Sequence, residues 1–167
     1  MINKKNQNGI GLVEILVALL ILALGALGFI ALQYRAVEAT AESGNRIQAV
    51  SIARDLAERI RVNKLVFNKY LSEIQVPANQ KNYAVNCRLL NCSQNNLADY
   101  DVAEVTQKAA SLGMTMNILQ CPSNVSSLNC IYVAWGDTSA TNGNGVSDCM
   151  NGTAYNDVST CLIMETY

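Results

Sequence analysis

A run of 18 residues, 15–32, contains no charged, polar or proline side chain, and it constrains the fold more than any other part of the chain. As an α-helix this run is roughly 27 Å long, enough to span the hydrocarbon core of a bilayer. One charged residue, Glu14, stands directly before it. A carboxylate there costs on the order of 2 kcal/mol or more unless it is neutralised, so it indicates a functional site that needs a partner. We expect the partner to be an α-amino group made by cleavage after Gly9.

The residues around this run form a known pattern. Gly9 closes a short polar leader, and Glu14 is the fifth residue after it. The order glycine, apolar, small, Leu, Val, Glu and then a long apolar run resembles the class III signal of type IV pilins and pseudopilins. The resemblance implies that a prepilin peptidase cleaves after Gly9, that the new amino terminus of Ile10 is methylated, and that Glu14 serves assembly. The family usually has Phe and Thr where this chain has Ile10 and Gly11.

The resemblance covers about the first 63 residues well and the rest loosely. Residues 16–28, 31–33 and 53–63 look like the PilV group of minor pilins. The resemblance implies a pilus subunit that first spans the inner membrane once, with a cytoplasmic amino terminus, and later reaches the cell surface. The implied partners are other major and minor pilins, bound through the N-terminal helix, the prepilin peptidase, the inner-membrane assembly platform and, before extraction, lipid.

Two other interpretations of the apolar run remain open. An ordinary secretory signal would end at a small-x-small site, and residues 23–25 or 26–28 fit that pattern. Against it, Glu14 is unusual inside such a signal, and the helical pattern continues past both sites. A single-span anchor without processing is the other alternative. In all three interpretations Lys4 and Lys5 hold the amino end in the cytoplasm.

The chain is expected to have four parts: a cleaved leader (1–9), a membrane and assembly helix (10–32), an amphipathic continuation of that helix (33–64) and a globular head (65–167). The continuation is predicted because apolar residues recur at spacings of three and four: Ala49, Ile52, Ala53, Leu56 and Ile60. Three glycines are positions where the helix is expected to bend, or, for the first two, to allow close helix contact in the membrane: Gly25, Gly28 and Gly44.

The cysteines indicate an oxidising compartment, because all six lie in the second half of the chain: Cys87, Cys92, Cys121, Cys130, Cys149 and Cys161. Of the 15 possible pairings we favour the sequence-local one, Cys87 with Cys92, Cys121 with Cys130 and Cys149 with Cys161. The chain has no histidine and no Cys-x-x-Cys, which argues against a zinc site, a thiol redox centre or the usual nucleophile and base pairs of enzymes. No enzyme activity, cofactor or metal is therefore expected.

The head is predicted to be α+β. Residues 64–96 read as a mostly irregular connection with a short extended piece at 83–87. A helix is expected over 97–112, capped by Asn96 and ended by Gly113, with an apolar face: Ala98, Val102, Val105, Ala109 and Leu112. Strands are expected at 114–120, 130–135 and 160–167. An antiparallel sheet packed on the amphipathic half-helix is the economical arrangement, and it is the pilin fold that the resemblance implies.

A polar segment, residues 136–148, lies between the last two strands and is expected to be a turn at the tip of a hairpin. Calcium bound by Asp137, Asn142, Asn144 and Asp148 is the alternative, although the segment does not fit an EF-hand loop. Tyr132 and Trp135 are expected to be core residues rather than a binding platform.

Two classes of function remain. The first is a structural subunit, a minor pilin or its near neighbour, a pseudopilin of a type II secretion system. The second is a membrane-anchored periplasmic binding or adhesion module. The net charge is −1, or −3 once the leader with Lys4 and Lys5 is removed, so a broad basic surface for nucleic acid is not indicated.

Overall fold

The computed structural model describes residues 11–122 and 128–166. In these residues helices come first and strands follow, which confirms the α+β class. The six strands are, in chain order, β1 Met114–Gln120, β2 Asn129–Trp135, β3 Ser139–Asn142, β4 Asp148–Asn151, β5 Ala154–Tyr155 and β6 Cys161–Glu165. Gly9 and Ile10, and with them the predicted cleavage site, lie outside the described residues.

The first helix, α1, spans Leu12–Val62 and continues without interruption through Gly25, Gly28 and Gly44. Its length and apolar composition are sufficient for a membrane span. The chain divides into two compact units, the first ending at Ser43 and the second beginning at the next residue. The helix therefore contributes residues to both units.

In the second unit, α1 buries one face. Its buried side chains are Ala49, Ile52, Ala53, Leu56, Ala57 and Ile60. All five positions predicted from the apolar spacing are among them, and Ala57 extends the same face. Packing of such a face contributes most of the stability of a helix in a protein, more than intrinsic propensity does.

From residue 64 to residue 81 the chain is mostly helical, so the prediction of an irregular connection over 64–96 is wrong for its first part. Lys64–Val66 and Asn79–Lys81 form 3₁₀ turns, and a second helix, α2, spans Phe67–Ile74. This helix has eight residues, and the residue at its N-cap makes no side-chain capping hydrogen bond. The usual start signal of a helix is therefore missing from the sequence.

The third helix, α3, spans Gln94–Ser111 and begins three residues before the predicted start. Its N-cap is Ser93, whose hydroxyl accepts a hydrogen bond from the backbone N–H of Asn96. The assignment of the cap to Asn96 was wrong because serine is an equally good cap one turn earlier. Gly113 follows the helix with a φ of 72°, which favours glycine and confirms the predicted end. Leu112 is 40% exposed and does not belong to the apolar face.

The main sheet has three antiparallel strands in the order β1-β2-β6. These are the three strands predicted from sequence, with boundaries that differ by at most one or two residues among those described. The connection between β1 and β2 includes residues 123–127, which are not described. β2 is the central strand, paired with β1 along one edge and with β6 along the other, so β1 and β6 are the edge strands of the sheet.

A second sheet contains β3, β4 and β5, with β3 parallel to β4 and β4 antiparallel to β5. The segment 136–148 is therefore not a simple turn at a hairpin tip, as was predicted. Ala140, Cys149 and Met150 are buried, and their packing stabilises a segment whose polar composition is typical of a loop.

The main sheet has an apolar cluster on each face. On one face Met116 and Val133 pack with the buried side chains of α1 and α3. On the other, Tyr132 packs with Cys149 and the neighbouring disulfides. Tyr132 and Trp135 are 0% and 4% exposed, which confirms the prediction that both are core residues.

Candidate assembly segment and head

The first part of α1 presents an apolar surface. Every residue from Leu12 to Leu32 is exposed. The large apolar side chains among them are Leu12, Val13, Ile15, Leu16, Val17, Leu19, Leu20, Ile21, Leu22, Leu24, Leu27, Phe29, Ile30 and Leu32. A continuous exposed apolar surface of this extent marks a membrane or protein interaction site.

Glu14 is the one charged residue between Leu12 and Leu32. It lies in the first turn of α1, where the unpaired N–H groups of a helix favour negative charge. Its backbone N–H donates to the carbonyl oxygen of Gly11 at 2.9 Å, and its side chain is exposed. Among the described residues no cation forms an ion pair with it. The carboxylate is therefore accessible to a group from another molecule.

Gly25 and Gly28 lie within this apolar segment. A Cβ atom at either position would meet no atom within 4 Å. No close contact within the described chain therefore requires a glycine at either place. Close approach of another helix and local unwinding of α1 both remain hypotheses for these two residues.

In the second compact unit, an ion cluster that the sequence did not predict joins α1 to α3. Nη1 of Arg59 lies 2.7 Å from Oδ1 of Asp101 and 2.7 Å from Oε2 of Glu104, and its Nε lies 2.9 Å from Oδ1 of Asp55. Nζ of Lys108 lies 3.3 Å from Oδ2 of Asp55. A guanidinium suits this arrangement because its five N–H donors are held in a rigid plane.

Asp101 is the most enclosed carboxylate of the cluster, with a side chain 8% exposed. Its Oδ2 accepts a hydrogen bond from the hydroxyl of Tyr70 at 2.7 Å. Nδ2 of Asn63 donates to the same hydroxyl at 3.3 Å and to the carbonyl of Gln94 at 2.8 Å. All three helices are thus joined at one polar site. The sequence did contain one signal of this site. Asp101 follows Ala98 by three residues, so it lies on the same helix face as the apolar side chains of α3, where a carboxylate needs a partner.

These contacts shift the pKa values of three groups. Burial raises the pKa of Asp55, but the hydrogen bonds and charges of Arg59 and Lys108 outweigh it, so the pKa lies below its usual value. Burial lowers the pKa of Arg59, and its carboxylate partners raise it by more. Burial and the hydrogen bond to Asp101 raise the pKa of Tyr70. At neutral pH the hydroxyl of Tyr70 is therefore protonated and can donate to Asp101.

The head has three disulfides, Cys87–Cys92, Cys121–Cys130 and Cys149–Cys161. These are the sequence-local pairs, and no free cysteine occurs in the described residues. The second and third disulfides lie in the apolar cluster that contains Tyr132. The first closes a surface loop, and residues 83–87 before it form bends and turns rather than the extended piece that was expected.

Asp148 organises the polar segment before β4. Its Oδ1 accepts from the hydroxyl of Thr141 at 2.5 Å, and its Oδ2 accepts from the N–H of Gly145 at 2.8 Å. These hydrogen bonds lower the pKa of Asp148. Both carboxylate oxygens of Asp148 therefore stabilise the turn before β4 by hydrogen bonds. In the part of the chain that the structure describes, no three His, Cys, Asp or Glu side chains gather as metal ligands would.

Two family models match the chain. Residues 4–30 match the model described as the prokaryotic N-terminal methylation motif, and residues 31–103 match the model described as Type IV pilin Tt1218. Neither match identifies the PilV group in particular. No curated protein and no solved structure matches the chain significantly.

Proposed function

We propose that the chain is a type IV pilin, and in particular a PilV-like minor pilin, because residues 4–30 match the N-terminal methylation motif and residues 31–103 match a type IV pilin model. The family is one of structural proteins, and membership implies a pilus subunit that is processed by a peptidase and assembles with other pilins. The finer assignment to the minor pilins is supported by the resemblance of residues 16–28, 31–33 and 53–63 to that group.

The proposed topology follows from the charges and the disulfides. Residues 1–9 are removed as a leader, and 10–32 hold the protein in the inner membrane, with 33–64 continuing the helix. Lys4 and Lys5 favour a cytoplasmic amino terminus before cleavage. The head, residues 65–167, then lies on the opposite side of the membrane, where disulfides form and persist.

One observation supports the assembly mechanism most strongly: α1 exposes an apolar surface whose single charge, Glu14, lies in its first turn. In the fibre such surfaces pack together, and Glu14 neutralises the methylated amine of Ile10 on an adjacent subunit. At about 4 Å and an effective dielectric near 20 this attraction is worth roughly 4 kcal/mol before desolvation is subtracted. Burying the two charges together favours one axial register between neighbouring subunits.

Shearing fibres from the cell surface and searching them for peptides from residues 87–167 tests the proposal. A minor pilin is expected in the fibres at a low ratio to the major subunit. Its absence from fibres, with the peptides confined to the inner membrane, would contradict the proposal and favour an anchored binding or adhesion module. Loss of type II secretion without loss of pili, after deletion of the gene, would instead identify a pseudopilin.

A further inference from the structure

The two edge strands of the main sheet differ in what their outward backbone groups contact. In β1, the N–H of Cys121, directly after the strand, donates to the carbonyl of Leu128 at 2.9 Å. Because hydrogen-bonded and non-hydrogen-bonded pairs alternate in an antiparallel ladder, the backbone groups of Met116, Ile118 and Gln120 point away from β2.

The outward groups of β1 are occupied by side chains. Oδ1 of Asn117 accepts from the N–H of Ile118 at 2.9 Å. Three side chains donate to the outward carbonyl oxygens: Gln80 to Met116 at 3.4 Å, Gln75 to Ile118 at 3.2 Å and Tyr132 to Gln120 at 3.3 Å. An edge covered in this way does not pair with another strand.

The edge of β6 is open. Thr160 and Thr166, which flank the strand, are hydrogen-bonded to β2. By the same alternation, the N–H and C=O groups of Cys161, Ile163 and Glu165 point away from β2. Among the described residues, none of these outward groups makes a hydrogen bond, and β6 has no strand partner besides β2. Unlike β1, it presents a free row of donors and acceptors.

A depression lies beside this edge on each face of the sheet. One has a volume of about 400 Å³ and is lined by Arg54, Ala57, Glu58, Met164 and Glu165. The other, of about 260 Å³, has Met150, Tyr155, Ile163 and Glu165 in its lining. Successive side chains of a strand point to opposite faces of a sheet. A strand added to β6 would therefore direct one side chain toward each depression.

We propose that β6 is a docking edge at which an extended segment of a different protein adds as a fourth strand of the main sheet. Backbone hydrogen bonds then supply affinity, and the two depressions supply specificity. The segment has an aliphatic side chain for the depression on the α1 side, where Ala57 and Met164 are apolar and Arg54 and Glu58 carry opposite charges. It has a basic side chain for the depression beside Ile163, because Glu165 lies on the same face of β6 two residues after Ile163, and no cationic residue is among the described residues that line this depression.

A second copy of β6 fits this edge less well. The strand reads Cys-Leu-Ile-Met-Glu, so it has no lysine or arginine to place beside Glu165. The inference depends only on β6 and its surroundings in the head. It can therefore fail while the role of Glu14 in the fibre holds, and the reverse is equally possible.

The test uses the full chain in detergent micelles and the peptide acetyl-Ser-Val-Lys-Val-Thr-Val-Ser-amide, whose valines share one face and whose lysine lies on the other. On binding, hydrogen exchange at Cys161, Ile163 and Glu165 should slow by about tenfold or more, as expected for amides that enter a strand ladder. The matched peptide with Glu in place of Lys should bind roughly two- to fivefold more weakly, as expected for one partly exposed ion pair.

Two proline variants distinguish peptide binding at the edge of β6 from binding at the edge of β1. Ile163→Pro removes an outward N–H that takes no part in pairing with β2, a position where an edge strand tolerates proline, and should weaken peptide binding by about tenfold. Gln120→Pro makes the same change at the closed edge of β1 and should leave affinity within about twofold. Ile163→Ala, which keeps the N–H, distinguishes loss of the donor from loss of the side chain. Fluorescence of Trp135 reports whether each variant is folded.

Glu165→Lys keeps the experiment decisive should a proline variant fail to fold, because it should reverse the preference between the two peptides. Protection of the β1 amides instead of the β6 amides, or no protection by either peptide, would overturn the proposal. A peptide-independent dimer with protected β6 amides would also overturn it, because the occupant would then be a second copy of this chain.

Discussion

Nη1 of Arg59 on α1 lies 2.7 Å from Oδ1 of Asp101 on α3, and this contact joins α1 to the head. The carboxylate is nearly enclosed and also accepts a hydrogen bond from Tyr70. Hydrogen bonds to charged groups in such surroundings contribute more than neutral ones, about 1.5–3 kcal/mol each. The helix and the head are therefore held together by polar contacts as well as by apolar packing.

Asp101→Asn should lower the free energy of unfolding by about 1.5–3 kcal/mol, because it removes the charge that Arg59 and Tyr70 both contact. Denaturant unfolding of the full chain in detergent, followed by the fluorescence of Trp135, measures the effect. Glu58→Gln is the control on an exposed part of α1 and should change stability by less than about 0.5 kcal/mol. Equal effects of the two substitutions would contradict the structural role of Asp101.

The free energy of unfolding should also depend on pH through Asp55, because the pKa of this carboxyl is lower in the folded protein than its usual value. The unfolded chain then binds more protons than the folded one, so the contribution of Asp55 is complete above an unfolded pKa of about 3.9 and is lost as the pH falls through the folded pKa. Asp55→Asn should flatten this part of the curve of unfolding free energy against pH. Parallel curves for both proteins would show that Asp55 is not responsible.

The two disulfides in the apolar cluster should contribute most to the stability of the head. Replacing Cys149 and Cys161 together by serine opens a 12-residue separation and should cost about 3 kcal/mol, against about 2 kcal/mol for the surface pair Cys87 and Cys92. Replacing both cysteines avoids a free thiol. Thermal or denaturant unfolding gives the ranking, and a larger loss at the surface pair would contradict it.

The mature protein should begin at Ile10 with a methylated amine. Mass analysis of the amino-terminal peptide from membranes or fibres identifies the first residue and its methylation directly. A start at Met1 would indicate an unprocessed anchor. A start at Ala26 or Phe29 would indicate an ordinary secretory signal that ends at one of the small-x-small sites.

Long periodic elements were predictable from the sequence. The apolar face of α1 and the strands β1, β2 and β6 follow patterns that extend over several residues, and burial in the structure agrees with those patterns. The short helix α2 was not predicted, because eight residues without a capping side chain give little local signal. The second sheet was not predicted either, because the burial of Cys149 and Met150 depends on tertiary packing.

The ion cluster around Arg59 could not be predicted for a different reason. Arg59 and Asp55 read as the polar face of an amphipathic helix. The position of Asp101 on the apolar face of α3 indicates a buried polar contact, but nothing local indicates that its partner is Arg59. Which edge of the sheet is open is also a tertiary property. It depends on Gln75 and Gln80 reaching the carbonyl groups of β1 from a distant part of the chain.

The most direct test of the assembly mechanism concerns Glu14. Glu14→Gln keeps the size of the side chain and removes its charge, so insertion, folding and cleavage after Gly9 should continue. Entry into the fibre should fail, because the amine of Ile10 on a neighbouring subunit would be buried without a counter-charge, at a cost of about 3–5 kcal/mol. Glu38→Gln is the matched control, since Glu38 lies exposed on the same helix and pairs with Arg35.

The measurement is the abundance of each variant in sheared fibres relative to the major subunit, with the amount in the inner membrane as reference. The proposed pairing predicts that Glu14→Gln is present in the membrane and strongly depleted from fibres, whereas Glu38→Gln reaches fibres as the wild type does. Wild-type abundance of Glu14→Gln in fibres would contradict the pairing of Glu14 with the amine of Ile10.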